Sequence, residues 1–359
     1  MKVLVWQWGR RGAGPRYAAD LAANLGHVPG ITALLSLSAQ AELLGGSLPP
    51  DCALPFSTYT GLFSLLLRLP FLPFRVALLA RQLRALAPDI AICAMPAALD
   101  LVMAAALGRA GVPYFVVVHD ADPHPGDGIP LQMPLQRALI RGATGLIALT
   151  HHVADRLRAL RQVGARTLIM TRHPPFVFGA TPPPPRAHGG KLRLLSFGRL
   201  LPYKGLDLLA DAMALLGPRD DVALRVVGNG PESPELDRLR VLPGVTVENR
   251  WVPEAEVGDL LAWSDALVLS HREASQSGVA AAAIAARRWV VATRVGGITE
   301  QLANECLARL CDPTPESVAE ALLSLLTAPP QPKAGPDPGS AWETVAARLA
   351  TDLKAAQAG

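Results

Sequence analysis

Short apolar runs alternate with longer segments rich in alanine and leucine along most of the chain. The runs are dominated by valine, isoleucine and leucine, which predicts strands buried on both faces of a parallel sheet. The segments between them are long enough to form helices. The predicted strands are residues 2–8, 89–93, 113–118, 146–150, 167–171, 191–197, 222–227, 245–247, 266–270 and 289–295. This alternation predicts an α/β fold built from repeated strand–helix–strand units.

The segment 264–300 is the clearest of these units. A strand is followed by the polar loop HREASQSGV, an alanine-rich helix and a second strand that a glycine pair ends. Backbone N–H groups at a helix start bind anions, so the start of this alanine-rich helix is a candidate phosphate site. Glu273 lies in the same loop, and its carboxylate suits a different part of the ligand. The unit therefore predicts a ligand with a diphosphate at one end and hydroxyl groups at the other, as in a nucleotide sugar.

Two cations follow the predicted strand 191–197, in the turn GRLLPYKG. Arg199 and Lys204 flank this turn just before a helix, which is a suitable arrangement for holding a diphosphate. The alternative is that they are two solvated charges on a loop. Gly228 begins a second glycine turn, GNGPE, after the strand 222–227, and is a further candidate for phosphate binding.

The first half of the chain offers weaker candidates. Gly12 and Gly14 lie between the first predicted strand and a helix, where they would let the backbone approach a phosphate. The alternative is a tight turn with no ligand. His119 follows directly after the predicted strand 113–118, at the edge of the sheet where ligands bind in open α/β folds. A histidine with a purely structural role is the alternative at that position.

No metal or cofactor is expected. Asp120 and Asp122 form a D-x-D pattern, but no third ligand is apparent, and cationic side chains can neutralise a diphosphate instead. The cysteines lack paired spacing and nearby histidines, which argues against zinc and favours reduced thiols in a cytoplasmic protein. They are Cys52, Cys93, Cys306 and Cys311. The apolar run at the N-terminus is too short for the core of a signal peptide.

Length and charge set the broad organisation. A chain of 359 residues predicts two domains, and its net charge of +4 is too small to argue for nucleic acid. Four consecutive prolines between glycines mark 179–190 as a linker. The predicted domains are therefore 1–178 and 191–328, each Rossmann-like. A proline-rich strip opens 329–359, followed by a helix from about Ala341 that we expect to return to the first domain.

The stretch 56–87 mixes large apolar side chains with arginines and prolines. One interpretation is a set of buried helices whose arginines extend to the surface. The other is an element that rests on an anionic membrane surface, and its prolines rule out one long spanning helix. The arginines concerned are Arg68, Arg75, Arg81 and Arg84.

Four motifs, taken together in their order, resemble glycosyltransferase family 4. They are FGRLLPYKG (197–205), VVGNGPE (226–232), SDALVLSHREASQSGV (264–279) and VVATRVGGITE (290–300). The first half fits more loosely, through WGRRGAGPR and VVVHD. The resemblance implies the GT-B fold, in which two Rossmann-like domains face each other across a cleft. It also implies transfer of a sugar with retention of configuration at the anomeric carbon.

The resemblance implies roles for the candidates in the second half. Arg199 and Lys204 would hold the diphosphate of the donor and stabilise the charge of the leaving group. The backbone N–H groups of Ser277, Gly278 and Val279, at the start of the alanine-rich helix, would bind the distal phosphate. Glu273 would accept hydrogen bonds from the hydroxyls of the donor sugar. No nucleophile from the protein is needed, because the leaving phosphate takes the proton of the acceptor.

In the first half the resemblance implies that His119 reaches the sugar, and that Gly12 and Gly14 let their loop touch the phosphates. The implied partners are a nucleotide-diphosphate sugar and a glycan or polyprenyl-linked acceptor. The implied process is the synthesis of surface polysaccharide or glycoconjugate. The expected location is the cytoplasm. A further expectation is peripheral attachment to the inner face of the plasma membrane.

One departure from the family pattern bears on activity. Most members carry a second glutamate eight residues after the first, and that position is Ala281 here. The motif EASQSGV resembles a branch of the family that also lacks the second glutamate. The presence of Ala281 therefore does not imply that the protein is inactive. Two alternatives stay open: a degenerate relative that binds a nucleotide sugar or a partner enzyme without turnover, and a nucleotide-sugar epimerase of the same fold. An epimerase would want additional acid–base carboxylates.

Overall fold

The computed structural model contains two parallel β-sheets of six strands each. It describes residues 1–46, 48–124, 126, 132–331 and 338–358. The strands are β1 Lys2–Gln7, β2 Thr32–Leu37, β3 Ile90–Cys93, β4 Tyr114–Val118, β5 Gly145–Ala148, β6 Thr167–Met170, β7 Leu192–Phe197, β8 Val222–Gly228, β9 Val245–Asn249, β10 Ala266–Leu269, β11 Trp289–Thr293 and β12 Ala308–Cys311. The first sheet has the order β2-β1-β3-β4-β5-β6, and the second has the order β12-β11-β10-β7-β8-β9. The predicted α/β class is confirmed.

Helices connect the strands on both halves of the chain. They are α1 Ala13–Gly26, α2 Leu62–Arg68, α3 Leu72–Leu86, α4 Asp100–Ala110, α5 Gln132–Gly142, α6 His151–Ala159, α7 Leu206–Leu216, α8 Pro234–Arg240, α9 Glu254–Trp263, α10 Gly278–Ala285, α11 Gly296–Leu302, α12 Pro315–Thr327 and α13 Pro338–Ala358. Short 3-10 turns occupy Glu42–Gly45, Leu69–Phe71 and Pro202–Lys204. The glycine pair expected only to end a strand begins α11, with Gly296 at φ 45°.

Ten of the twelve strands match the predicted ones to within a few residues. The two that were missed, β2 and β12, lie at sheet edges. Along β2 the residues change from exposed at Thr32 to buried at Leu37. In β12 only the last residue is buried, and Arg309 interrupts its apolar residues. An edge strand that is only partly covered does not need a continuous apolar run, so its sequence signal is weak.

Each sheet has its own apolar core. In the first, side chains from the central strands, such as Trp6 and Val116, are fully buried with residues of the flanking helices. In the second, Leu194 and Val226 play the same part. Strands buried on both faces are what the unbroken valine and leucine runs require, because water reaches neither side of the sheet.

Compactness divides the chain into two units. The first comprises Met1–Asp122, residues 132–172 and the residues of α13 from Gly339 onward. The second comprises His173 to Pro338, together with the described residues Pro123, His124 and Gly126. Within the first unit, α13 is attached at both ends. The Trp342 ring lies 5.8 Å from that of Tyr17, and the Gln357 amide donates to the Asp89 carbonyl at 3.1 Å. Residues 332–337 of the proline strip lie outside the described residues.

The segment predicted as a linker, 179–190, contains neither helix nor strand. It belongs to the second unit, which begins several residues earlier. Backbone N–H of Arg186 donates to the buried Asp265 carboxylate, and His188 contacts the same carboxylate at 3.0 Å. Arg288 donates to the carbonyl of Pro183. These contacts to buried groups explain why the segment groups with the second sheet.

Residues 62–86 stay helical through both of their prolines. The backbone passes from α2 through the 3-10 turn Leu69–Phe71 into α3, and Leu69 and Leu72 both have right-handed helical angles. Pro70 and Pro73 fall in the first turn of their elements, where the missing N–H costs no hydrogen bond. The expectation that they would prevent one long helix is therefore wrong. Within the described residues, Phe63–Leu86 is the one helix long and apolar enough to cross a membrane, by length and composition only.

Candidate active site

Three loops meet at the carboxyl end of the second sheet. They follow β7, β8 and β10, which are neighbours in that sheet. Gly228 approaches the loop after β7 so closely that a Cβ would lie 1.6 Å from the Gly198 carbonyl oxygen. Gly205, at φ 65°, approaches the loop after β10, where a Cβ would lie 1.9 Å from the Ser270 oxygen. Glycine is required at both positions because any side chain would force the loops apart. The observed role of Gly228 is thus close packing between loops.

Tyr203 is the centre of a cluster in these loops, and it is buried. Arg199 donates to its hydroxyl oxygen at 2.9 Å. The Lys204 ammonium lies 5.1 Å from its ring centroid, within the range of a cation–π interaction. His124 stacks on the ring, with centroids 4.5 Å apart and planes inclined by 15°. The ring of Tyr203 therefore brings together both cations that the sequence predicted, with a histidine that it did not.

Lys204 is also oriented from the loop after β10. Its Nζ lies 2.8 Å from Nε2 of His271, and His271 is buried. Burial, followed by the charge of Lys204, holds the pKa of His271 well below its ordinary value. The imidazole is thus neutral near pH 7, with its proton on Nδ1, and Nε2 accepts a hydrogen bond from the ammonium. The acceptor of Lys204 in this contact is therefore a neutral ring.

A pocket opens among these side chains. Its lining includes Arg199, Lys204, Ser270 and His271, with strand-end residues of β7 behind them. The Ser270 hydroxyl donates to the Lys204 and Gly205 carbonyls at 3.1 and 3.0 Å, which fixes the turn that carries the lysine. A pocket with two cations at the carboxyl end of a parallel sheet is a suitable place for a diphosphate.

Glu273 lies beside the cluster with half of its side chain exposed. Its Oε1 is 2.9 Å from Nδ1 of His124, whose own side chain is only 10% exposed. The neighbouring cation in the same loop, Arg272, pairs with Asp207 at 3.0 Å. Glu273 therefore presents a carboxylate to solvent, held by a histidine and not by an arginine. Such a carboxylate can accept hydrogen bonds from sugar hydroxyls.

The start of α10 is organised differently from the expectation. Ser277 caps the helix, its hydroxyl accepting from the Ala280 N–H at 3.2 Å. The Ser277 N–H donates to the side-chain oxygen of Gln301 at 2.9 Å, and the Gln301 amide donates back to the Ser277 carbonyl at 3.0 Å. Because this pair of hydrogen bonds uses the Ser277 N–H, the phosphate-binding prediction narrows to Gly278 and Val279.

The position at which most family members carry the second glutamate is buried in this protein. Ala281 is buried in α10, and its carbonyl accepts a hydrogen bond from the Phe176 N–H at 3.2 Å. The segment that begins the second unit thus lies against this turn of the helix. We expect ribose recognition to rely on other groups of this chain.

The candidates of the first unit are mostly covered. His119 is buried, its Nε2 lies 2.8 Å from the Ala94 carbonyl, and the Tyr17 ring meets it edge-on at 5.2 Å. Burial lowers the pKa of His119, so it is neutral near pH 7. These contacts favour the structural alternative for this histidine. Gly12 precedes α1 with φ 83°. Gly14 packs on the Gln7 side chain, where a Cβ would lie 2.7 Å from the amide nitrogen.

The two aspartates of the D-x-D pattern have partners within the first unit. Asp122 forms an ion pair with Arg156 at 2.7 Å. The backbone carbonyl of Asp120 accepts a hydrogen bond from Gln136 at 2.7 Å. Within the described residues, no group of three or more histidine, cysteine or acidic side chains could hold a metal ion.

Sequence reasoning missed Tyr203, His271 and His124. Two of them lie within motifs that were recognised: Tyr203 adjoins Lys204, and His271 lies two residues before Glu273. The signal that could have found His271 is its place directly after a predicted strand, and Tyr203 lies in the turn that follows another, since parallel strands end at a common edge. His124 lies in the loop after β4, and no periodic pattern indicates which loop contacts which.

Two family models match the chain. The model described as "Glycosyl transferases group 1" matches residues 191–328, and the model described as "Glycosyl transferase 4-like domain" matches residues 12–172. No curated protein matches the sequence. The site built around Tyr203 lies within the first of these matches, except for His124.

Solved structures similar to this chain share its fold over their whole length. The structure of Anabaena Alr3699/HepE in complex with UDP and glucose is 18% identical and covers 100% of this chain and 99% of that chain, with a TM-score of 0.68. Sucrose-phosphate synthase from Thermosynechococcus elongatus is 15% identical, covering 99% and 97%, with a TM-score of 0.68. A UDP-GlcNAc 2-epimerase from Neisseria meningitidis is 13% identical, covering 99% and 100%, with a TM-score of 0.60.

At these identities the structural likeness shows the fold, and the epimerase shows that one fold carries different reactions. The two family models distinguish between those reactions because both describe glycosyltransferases. Together they span most of the sequence, and the chain is therefore a glycosyltransferase of the GT-B type.

Proposed function

We propose that this protein is a retaining glycosyltransferase of family 4, in the branch with an EASQSGV-type motif. It moves a hexose from a nucleotide-diphosphate sugar to a glycan or polyprenyl-linked acceptor. The process is the synthesis of surface polysaccharide or glycoconjugate, on the cytoplasmic side of the membrane. No metal takes part, because the cations of the protein neutralise the diphosphate.

The observation that carries the proposal is the arrangement around Tyr203. Arg199 donates to the hydroxyl of the buried Tyr203, Lys204 lies over its ring, and both cations line the same pocket. Glu273, in the loop that follows β10, is half exposed beside them. Two cations next to a carboxylate match the two ends of a nucleotide sugar, since the diphosphate needs positive charge and the sugar hydroxyls need acceptors.

In the proposed reaction the bond between the anomeric carbon and the diphosphate oxygen breaks. The acceptor hydroxyl attacks the same face of the sugar, and its proton passes to the leaving diphosphate. Negative charge grows on that diphosphate in the transition state, where Lys204 and Arg199 stabilise it. The N–H groups of Gly278 and Val279 bind the distal phosphate. Glu273 orients the sugar, and we assign no step to His119.

UDP sugars are the first donors to test. The Anabaena structures hold UDP with glucose and UDP-glucose, on a fold that this chain shares over its full length. The likeness is too distant to fix the base or the sugar, so GDP and dTDP sugars belong in the same screen. A thermal shift by one class of donor would identify the nucleotide before the acceptor is known.

The test is release of the nucleoside diphosphate by the full chain, with and without candidate acceptors. We expect slow release with the donor alone, faster release with acceptor, and a product whose anomeric configuration, read by NMR, is that of the donor. Replacing Glu273 by Ala should lower kcat/KM at least about tenfold, because sugar hydroxyls lose a charged acceptor. The matched control is Glu320→Ala, an exposed glutamate on α12.

Three results would contradict the proposal in different ways. Inverted configuration would remove the retaining mechanism but leave a transferase. Donor binding without any release would favour the degenerate alternative that Ala281 raised. Conversion of the donor to another sugar nucleotide, without transfer, would favour the epimerase.

A further inference from the structure

The helical segment 62–86 carries an apolar face that nothing in the described chain covers. Side chains on this face include Phe71 at 63% exposure, Phe74 at 71% and Leu78 at 49%. The preceding turn and α2 extend it with Phe63, Leu66, Leu67 and Leu69. A soluble surface seldom presents so many large apolar side chains together, which marks it as a contact surface. We call these seven residues the apolar face.

The opposite face of the same segment is fixed to the first core. Val76, Leu79, Ala80 and Leu83 are buried, at the i, i+3, i+4 and i+7 spacing of one helix stripe. Phe71, Phe74 and Leu78 follow a similar spacing on the other side. The helix is thus apolar on both sides. Only one of those sides has a partner within the described residues.

The stretch of sequence that carries the apolar face has charges of one sign. From Cys52 to Pro88 the sequence contains four arginines and no lysine, aspartate or glutamate. Arg68 and Arg75 donate to the Ser57 carbonyl, and Arg84 donates to the Arg109 carbonyl. Their partners are neutral carbonyls, so these hydrogen bonds leave the positive charge in place. Arg81 is exposed and has no ion pair among the described residues.

We propose that this face is a membrane-docking surface, which inserts its apolar side chains among the acyl chains of an anionic bilayer while the arginines meet the lipid headgroups. The combination of a large apolar stripe with basic residues and no acids is what an interfacial helix requires. The proposal goes beyond the transferase function, since binding to vesicles needs neither donor nor acceptor.

A second copy of the chain is the less suitable occupant. A two-fold dimer would place the same face against itself, and would bring eight arginines together without a carboxylate from this stretch. Complementary charge comes from an anionic lipid surface instead.

A spanning helix is also less suitable, although the segment is long enough. Crossing the bilayer would place Arg68 and Arg75 in hydrocarbon. It would also remove Val76, Leu79 and their neighbours from the core of the first unit, where they are buried now. Docking by the exposed face alone requires neither change.

The experiment is co-sedimentation of the full chain with phosphatidylcholine vesicles, with and without phosphatidylglycerol, at low and high salt. We expect binding to the anionic vesicles that weakens with salt. The double variant Phe71→Ser with Phe74→Ser should bind at least about tenfold more weakly, because two exposed rings no longer insert. Arg81→Gln should weaken binding about fivefold.

The matched control is Leu215→Ser with Val241→Ser, which removes two exposed apolar side chains from the second unit. It should bind as the wild type does. Thermal melts should be unchanged for both double variants, because all four positions are exposed, so a loss of binding would not reflect unfolding.

Four outcomes would overturn the proposal. The wild type could stay in the supernatant at low salt, or the Phe71 and Phe74 variant could bind as well as the control. Resistance of the bound protein to alkaline carbonate would indicate a spanning helix instead of a docked one. A dimer in solution that the Phe71 and Phe74 variant abolishes, with no vesicle binding, would assign the face to a second copy.

Discussion

The polar residues at the carboxyl ends of the two sheets differ in burial and in charge. In the first unit, His119 and Asp100 are buried, and burial shifts the pKa of both toward the neutral form. In the second unit, Glu273 is half exposed, and Lys204 stands at a pocket. Both sheets are parallel and six-stranded. The same architecture therefore supports a covered, neutral edge in one unit and an open, charged edge in the other.

The difference supports the proposal that the donor diphosphate binds in the second unit. A charge contributes to binding when the ligand can reach it. The acceptor for Lys204 is the neutral ring of His271, and the partner of Glu273 is the His124 ring. The carboxylate of Asp100 in the first unit is instead surrounded by donors within the core, from Trp6, Cys93 and Ala97.

The strongest test of this comparison removes the charge at the open edge. We expect Lys204→Ala to lower kcat/KM for the donor about thirtyfold, since a charge-assisted hydrogen bond to the leaving diphosphate is worth about 2 kcal/mol. Steady-state kinetics with the donor found in the screen would measure it. Lys191→Ala, an exposed lysine of the same unit, is the control. Full activity in the Lys204 variant would mean that the open edge is not the site of anion binding.

Replacing His271 should lower activity less than replacing Lys204. It distinguishes a role in positioning the Lys204 ammonium from a purely structural role. His271→Leu leaves the ammonium of Lys204 without its acceptor at 2.8 Å, and we expect kcat/KM to fall about tenfold. His271→Gln can still accept through its amide oxygen and should recover most of the loss. Because burial keeps the pKa of His271 well below its ordinary value, the wild type should show no step from its titration near pH 7.

The positioning role would be contradicted if His271→Leu and His271→Gln lost activity equally, or if both lost it together with thermal stability. Such a pattern would mean that the imidazole only fills space behind the pocket. A thermal melt of each variant beside the kinetics distinguishes the two cases.

The covered edge has its own test, through pH. Burial raises the pKa of Asp100 to about 7, above its ordinary value near 4. Between those two values the folded chain holds a proton that the unfolded chain has released, so stability falls as pH rises. The loss continues to just above pH 7 and then levels off. We expect the free energy of unfolding of the first unit to fall by about 1 kcal/mol between about pH 6 and about pH 8.

Asp100→Asn should flatten this pH dependence, because the amide does not ionise. Asp155→Asn, which removes an exposed carboxylate of α6, should leave the slope unchanged. Thermal melts across this pH range would measure both. If the free energy of unfolding of Asp100→Asn still falls with pH, another group is responsible for the pH dependence. The buried Asp100 would then no longer support the comparison of the two edges.

The sequence predicts the two edges unequally, for physical reasons. Arg199, Lys204 and Glu273 follow apolar strands in short polar loops, so the position of each along the chain is enough to place it at the sheet edge. The cluster itself was not predictable, because the stacking of His124 on Tyr203 joins loops far apart in sequence. The Ser277 N–H was assigned to phosphate because a helix start suggests it. The Gln301 side chain that occupies it comes from another helix, α11.

The smallest expected effect concerns the hydroxyl of Tyr203, which tests whether the ring or the oxygen organises the open edge. Tyr203→Phe keeps the surface on which His124 stacks and over which Lys204 lies, but removes the oxygen that accepts from Arg199 at 2.9 Å. Arg199 is exposed, so water can replace that acceptor and only its orientation is lost. We expect kcat/KM for the donor to fall about threefold, equivalent to roughly 0.7 kcal/mol. Tyr203→Leu removes the ring as well and should fall at least about tenfold. Equal losses in the two variants would show that the hydroxyl is the organising group. No loss in either would show that the cations hold their positions without Tyr203.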